Sequence, residues 1–548
     1  MSLFGSLYVG ASGLQTSQNA LNTTAHNMSN VDTQGFTRQQ VQQGTRPYNI
    51  LSKSASANAY QQTGLGVSYV QVKHIRDFFL DRNYRQEAGR SAFYGVSASA
   101  FEEVENLFQE LEGKSFAKSI ENLWTSVQEL SKDPGNAVNQ GVFVQRCNEF
   151  LNRAQAIYGG LCDYQDNLNY QVKQQVDTIN AYGKRIVELN QQIMKIEGGG
   201  VEHANDLRDE RDLLVDELSS MAQIELREDA NGNYLIYMEG VDFVKAQSYN
   251  KIELDVDVET GFYTPYWTQL AKRDADGKLN NGAKLYKMNQ IISTDRNTDV
   301  GALKSLLYAR GTRRGTYKDV DPSTGDPASP NYDPDDGYDA TEYKNLTSQS
   351  VMMHIQAEFD QLIHGVTTAI NKVFADAAAS EPNTDYMKDK NGDAYTIFNL
   401  RTGKPYADKD FSIENIIING EIKQAPTLLG FKKEDGKIDQ ETADKLKEIF
   451  MEESLYLNPR VKTKTSFVYY YSDLVSQVAN TGSVMRNICD NQEMTVDNIA
   501  AAREQIIGVS SDEEMSNMVM FQNAYNASSR YINVISELME HVINTLGR

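Results

Sequence analysis

MSLFGSLYVGASGLQTSQNALNTTAHNMSNV, residues 1–31, decides how the rest of this chain is read. Alternate steps of three and four from Leu3 reach Leu7, Gly10, Leu14, Ser17, Leu21, Thr24, Met28 and Val31. The other end carries a matching series: Met518, Phe521, Tyr525, Ser528, Ile532, Ile535, Met539, Val542 and Leu546. Such spacing is a coiled-coil seam, so each end is predicted to be a long helix whose natural partner is the other end.

Charge is missing from both series. Residues 1–31 contain no Asp, Glu, Lys or Arg, Asp32 being the first charge, and from Met515 to Ser536 the only charged residue is Arg530. A helix exposed on one side normally places charge there. These helices place Ser, Thr, Asn and Gln, which enter a protein contact without the cost of desolvating a charge. Spacing alone would suit an internal antiparallel pair in a monomer, but the missing charge predicts that the outer faces also meet protein, from neighbouring copies. The expected assembly interface comprises Leu3, Leu7, Leu14, Leu21, Met28, Val31, Met518, Phe521, Tyr525, Ile532, Ile535, Met539, Val542 and Leu546.

The chain of 548 residues can hold several cores. Of its net charge of -22, the first 50 residues contribute +1 and residues 510–548 contribute -3, so the acidity belongs to the middle. An acidic body argues against nucleic acid or an anionic membrane as the main partner. Cys147, Cys162 and Cys489 include no C-x-x-C pair and are expected to be buried thiols. No run approaches the roughly 20 apolar residues of a membrane span. Residues 1–31 lack a basic n-region and an apolar h-region, so any export is expected to proceed without a cleaved signal.

Between the ends the texture changes twice. Residues 37–62 read as an extended connector, and Val67–Val72 as a short β-prone run. Helical patterning follows from about Arg76, then through Phe116, Ile120, Leu123, Val127 and Leu130, and through one long or two serial helices from Ala137 to Glu197. A charged helix is expected from Ala204 to Met221. Asn231-Gly232 marks a hairpin, with short strands continuing to about residue 300. Helix is expected again from Asn345 to Asp376, with Ile355, Phe359, Leu362, Ile363, Val366, Ile370 and Phe374 as its stripe. A small β island spans about 384–432, with 411–418 its clearest strand, and helix dominates from Glu441.

These readings predict an α+β multidomain fold with paired terminal helices. Residues 1–62 with 510–548 form a terminal-helix polymerisation domain and connector. Residues 63–222 with 345–377 and 441–509 form an elongated helical bundle, 223–344 a β-rich insert with a surface loop at 318–340, and 378–440 a small β-rich insert.

Residues 25–36, AHNMSNVDTQGF, followed by Thr37-Arg38-Gln39, resemble the N-terminal signature of the bacterial flagellar rod, hook and hook-associated proteins. The motif residues are Asn27, Asn30, Thr33, Gly35, Phe36, Arg38 and Gln39. Gly64 to Tyr84, Ala204 to Ser219 and Met518 to Leu546 agree with the hook-associated members. Gln34 and His26 depart from the more usual Pro and Asn. The resemblance implies a structural, non-enzymatic subunit of the hook–filament junction, placed outside the cell in the flagellum. It further implies export without a cleaved signal through the flagellar type III apparatus, aided by an export chaperone, and polymerisation into a tube through paired terminal helices. The implied partners are further copies, the hook protein and the next hook-associated junction protein, with no nucleic acid and no membrane. Another axial protein, such as a hook or rod subunit, is the nearest alternative; a surface binding module or adhesin is a more distant one.

Chemical motifs are weak. Gly64-x-Gly66 lacks the third glycine of a dinucleotide fingerprint. His354 and His364 lack metal-ligand spacing. The acidic loops at 274–277, 333–337 and 389–393 lack the EF-hand pattern. Asp209, Glu210, Asp212, Asp216 and Glu217 read as a solvated or salt-bridged helix face. No catalytic, cofactor or metal site is assigned.

Overall fold

In the computed structural model the described residues are 3–53, 60–108, 115–200, 202–274, 277, 279–329, 331–334, 337–380, 386–389, 392–401, 411–433 and 436–546. The chain opens with α1 (Leu3–Ser29), followed by strands β1 (Gln39–Thr45), β2 (Asn49–Lys53), β3 (Tyr60–Thr63) and β4 (Val67–His74). Helices α2 (Phe78–Phe108), α3 (Phe116–Lys132), α4 (Ala137–Glu197) and α5 (Asn205–Met221) come next. Five strands follow: β5 (Ile224–Glu228), β6 (Tyr234–Met238), β7 (Val241–Val244), β8 (Ile252–Val256) and β9 (Tyr263–Trp267). Then come α6 (Ala302–Arg310), α7 (Ala340–Asn345), α8 (Val351–Ser380), β10 (Phe398–Leu400), β11 (Ile416–Ile418) and α9 (Gly420–Gln424). The remainder is α10 (Gln440–Met451), β12 (Leu455–Tyr456), β13 (Lys464–Thr465), α11 (Phe467–Ile507) and α12 (Ser511–Leu546). This is an α+β chain of long helices, with small sheets inserted in its middle.

Two compact units divide it. The first contains residues 1–89, 178–251 and 492–548, and therefore both chain ends. Here α1 packs antiparallel on α12: Gly10 faces Ile532 while Gly13 faces Ser528. The ribbon β1–β4 pairs Gln39 with His74 and Thr45 with Val67, with a bulge after Gln42. β2 pairs with β3, and β5–β6–β7 form a three-stranded antiparallel sheet. The Asn231-Gly232 turn closes the β5–β6 hairpin, with Gly232 at φ +78. The described residues of the expected extended connector, 37–53 and 60–62, are thus largely paired as strands. Their alternation is absent because of β1's residues only Gln39 is buried; ladder hydrogen bonds, not an apolar face, hold the ribbon.

The second unit contains residues 90–177 and 252–491. Its centre is aromatic: Phe116 lies 5.4 Å from Phe150, 5.2 Å from Phe359 and 4.9 Å from Tyr471, ring centre to ring centre. All seven positions of the stripe expected on α8 are buried. The buried polar residues between them are satisfied by loops, as where Asp360 accepts the backbone N–H groups of Tyr317 at 3.0 Å and Ile413 at 2.7 Å. His364 is one of these: its ring stacks on Tyr317 and its Nδ1 lies 2.7 Å from the Phe411 carbonyl, a packing role. Only Ile416–Ile418 of the expected 411–418 strand pairs, because Ser412–Asn415 turns and Asp360 holds Ile413. Beyond β9 the expected strands give way to turns and short 3-10 segments up to α6. All three cysteines are buried thiols outside any disulfide.

Candidate assembly surface: the terminal helices and the motif turn

The closest approach of α1 to α12 is made by small residues. Ser6, Gly10, Ser17, Ala20, Thr24 and Asn27 are buried, while Leu7, Leu14, Leu21 and Met28 are half-buried beside them. The seam expected from the sequence shares Gly10, Ser17 and Thr24 with this line, and its leucines flank the contact. The reason is geometric: side chains no larger than Thr let two helix backbones approach, and a Cβ at Gly10 would lie 2.7 Å from Ile532 Cγ1. A second buried pair, Ser12 and Thr16, lies one turn away; Ser12 Oγ accepts the Val67 N–H at 3.2 Å and so seats β4 on the helix.

On α12 the residues turned towards α1 are the expected ones. Ile535 is buried, and Met518, Phe521, Tyr525, Ser528, Ile532 and Met539 are half-buried. Val31 and Val542 are exposed, and the side chains of Leu3 and Leu546 lie outside the described residues. The outer faces are apolar as well as charge-poor: Phe4 and Tyr8 on α1 are 68% and 64% exposed, and Val519, Val534, Leu538 and Ile543 on α12 are exposed. Apolar side chains on a monomer's surface are ordinary singly, but a run of them along an uncharged helix marks an interaction site.

The motif turn locks the end of α1 to four other elements. Asn27, 1% exposed, donates from Nδ2 to the Gln39 carbonyl at 2.9 Å and accepts the Gln39 N–H at 3.1 Å, closing the helix end onto β1. Asn30 Nδ2 donates to the His26 carbonyl at 3.0 Å, and Thr33 Oγ1 donates to Asn30 Oδ1 at 3.1 Å. Gly35 takes φ +79, and a Cβ there would lie 3.2 Å from Leu213 Cβ. Phe36 sets its ring against that of His26 at 5.5 Å, so the histidine departure from the usual Asn becomes a packing partner. Gln39 Nε2 donates to Asp206 and the Thr37 N–H to Asp209, both on α5. Arg38 pairs with Glu513 and Glu514 in the first turn of α12, each at 2.9 Å, and its N–H donates to the Ile507 carbonyl. Both glutamates also suit the positive end of that helix.

Next to the turn lies an ion cluster that sequence reading resolved only in part. Arg76 pairs with Asp81 and Asp212, Arg85 with Asp212 and Asp216, and Arg503 with Asp81 and Asp216, both at 2.6 Å. Burial disfavours the ionised Asp212, but Arg76 and Arg85 overcome it and hold its carboxyl below the usual range. Glu210 instead bridges to Arg185 at 2.6 Å. The face expected to be solvated or salt-bridged is therefore salt-bridged, with Asp209 and Asp212 buried. Its arginines come from positions 76, 85 and 503, and no local spacing announces them. Asp209 is set apart: burial lifts its carboxyl to about 7 despite the Thr37 N–H, and burial lowers the neighbouring His74, 3.6 Å away, to about 4. A groove of about 490 Å³ lined by residues 30–36, Tyr84, Asp216 and Arg503 opens beside this cluster. Among the described residues no group of three His, Cys, Asp or Glu side chains could hold a metal ion, and no helix is long and apolar enough to cross a membrane.

Comparison with known proteins places these features in a family. Residues 7–37 match the flagella basal body rod protein model and residues 506–546 the C-terminal model of the flagellar basal body rod FlgEFG proteins, which cover α1 with its turn and α12. Flagellar hook-associated protein 1 of Bacillus subtilis is 26% identical over 548 residues, covering 100% of this chain and 99% of the relative. The Escherichia coli protein of that name is 23% identical, covering 97% of this chain and 98% of its own length. The solved flagellar hook junction protein FlgK from Burkholderia pseudomallei aligns at 17% identity and a TM-score of 0.39, over 60% of this chain and 48% of that one. Residues 101–384, more than half of the sequence, match the helical domain of flagellar hook-associated protein FlgK, and the chain belongs to that family of flagellar structural proteins.

Proposed function

We propose that this chain is a non-catalytic subunit of the junction between flagellar hook and filament, polymerising through α1 and α12. The observation that carries this reading is that the two helices, already paired with each other, still present apolar outer faces, uncharged along α1 and charged only at Arg530 between residues 515 and 536 of α12. Neighbouring copies covering those faces would bury further apolar surface at about 25 cal/mol per Å², without desolvating ionised groups. A contact of this kind repeats head to tail and builds a tube. Residues 1–62 with 510–548 then act as the polymerisation domain, including Leu3, Leu7, Leu14, Leu21, Met28 and Val31, together with the α12 seam. Residues 63–222 with 345–377 and 441–509 serve as the supporting bundle, with 223–344 and 378–440 as the inserts. The hook protein and the next hook-associated junction protein are the axial partners.

Export fits the same anatomy. Of the α12 side chains described, Glu514 and Ile535 alone are buried, so α12 has little burial of its own to resist opening. A chain whose ends open readily suits passage through the type III apparatus in a partly unfolded state, with a chaperone covering the C-terminal region until release to the outside of the cell.

The test is a double variant, Val534→Glu with Leu538→Glu, at positions exposed in the single chain. The purified monomer should keep its helix content, while cells carrying it assemble hooks that retain no filament. Normal motility with the folded double variant would refute the reading.

A further inference from the structure

In the second unit α2, α8 and α11 wall a cleft of about 590 Å³, within the range of about 300–1,000 Å³ typical of small-molecule sites. Phe93, Phe101, Ile355, Val478, Met485 and Ile488 supply an apolar lining. Its other side is polar. Arg460, exposed to solvent where it lines the cleft, holds its guanidinium over the Tyr343 ring at 5.7 Å and donates from Nη2 to Ser348 Oγ at 2.7 Å, and among the described residues no carboxylate pairs with it.

Two further features bear on what the cleft accepts. Ser350, which lines it, is 1% exposed and its Oγ has no hydrogen-bond partner. A buried unpaired hydroxyl requires an explanation, such as a water or a ligand group. Glu358, fully buried behind His354, is the nearby negative charge, but its oxygens are already taken by Asn458 at 2.8 Å, Gln477 at 2.9 Å and His354 at 3.2 Å. The group left without a countercharge is therefore the Arg460 cation. A planar guanidinium fork matches a carboxylate.

We infer that this cleft binds a small amphiphilic monocarboxylate, an aliphatic or aromatic acid whose apolar body lies along the half-buried Met485 and Ile488, over the buried Phe93, Phe101 and Val478, and whose carboxylate meets Arg460. A neutral occupant would gain nothing from the exposed guanidinium beyond what water already supplies. An amine would meet that cation and find the Glu358 oxygens occupied.

The test is calorimetric titration of the full chain with decanoate below its micellar concentration, alongside decanol and decylamine. Decanoate is expected to saturate one site and to bind at least tenfold more tightly than either comparator. Arg460→Met should weaken decanoate at least tenfold, and Val478→Trp should abolish binding by filling the cleft. Circular dichroism establishes that each variant is folded; if Val478→Trp is not, Met485→Trp at a half-buried wall position replaces it. Absence of saturable binding at millimolar decanoate overturns the proposal. Equal binding of decylamine, or binding untouched by either Arg460→Met or the cleft-filling variant, overturns it as well.

Discussion

Replacing Gly10 by Ala should loosen the pairing of α1 with α12, although the same substitution stabilises most helices. Alanine is favoured over glycine in a helix interior by about 0.8–1 kcal/mol. At position 10, however, the new Cβ would stand 2.7 Å from Ile532 Cγ1 and 3.1 Å from Tyr531 Cδ1. Carbon atoms prefer about 3.5–4.0 Å. Ile532 Cγ1 is close to its own backbone, so relief requires the helices to part, and overpacking of this size costs about 1–3 kcal/mol. The balance is a loss of up to about 2 kcal/mol, or roughly thirtyfold in the opening equilibrium at tenfold per 1.4 kcal/mol. Gly5 on the same helix provides the control, because a Cβ there meets nothing within 4 Å. Gly5→Ala should gain about 0.5 kcal/mol, less than a mid-helix site because it lies in the first turn. Hydrogen exchange of α12 amides in the full-length monomer reads both effects: faster in Gly10→Ala, unchanged or slower in Gly5→Ala. If Gly10→Ala protects α12 as well as Gly5→Ala does, the small-residue contact is not what seats the pair.

Asn27→Ala removes both partners of the Gln39 peptide group and should cost about 2–4 kcal/mol in denaturant unfolding, since a buried backbone group left unpaired loses about 1–3 kcal/mol. Gly35→Ala should cost about 1–2 kcal/mol, because alanine at φ +79 is strained and its Cβ meets Leu213. The His74–Asp209 pair predicts opposite pH slopes in two variants. His74 titrates lower in the fold, at about 4 against 6.5 unfolded, so in Asp209→Asn stability rises as pH goes from 4 to 6.5. Asp209 titrates higher, at about 7 against 3.8 unfolded, so in His74→Gln stability falls between pH 4 and 7. The parent chain, carrying both, should show little slope from these two groups, and urea midpoints across that range check all three. Arg503→Met leaves Asp81 to Arg76 and Asp216 to Arg85, and should destabilise by about 1.5–3 kcal/mol at neutral pH, measured by the same unfolding.

What could be read in advance depended on how far apart the interacting residues lie. The stripe on α8 was legible because the helix carries its own period, and every expected position is buried. The seam on α12 was legible for the same reason. On α1 the period was clear but the inward side was not, since Leu7 and Leu14 look like the better core residues while Gly10 and Gly13 make the closest contact. Hydrophobicity ranks residues by transfer energy, whereas this contact is limited by backbone separation. β1 to β3 were missed because pairing of half-exposed glutamines leaves no alternation. The motif residues were recognised as a group, but their partners on α5 and α12 could not be: Arg38 and Glu514 are 476 positions apart. The cluster of Arg76, Arg85 and Arg503 with three aspartates was hidden for the same reason.

The Arg38 contact also sets an order in time. α1 is synthesised long before its seat, α12, and before the acidic pair that grips Arg38. Contacts this distant in sequence form late, after the intervening loop entropy has been met. Until then the first helix is a short segment without its cover. A chain cut short anywhere before residue 513 lacks the carboxylates that grip Arg38, so the turn after α1 stays unclosed until α12 has been made.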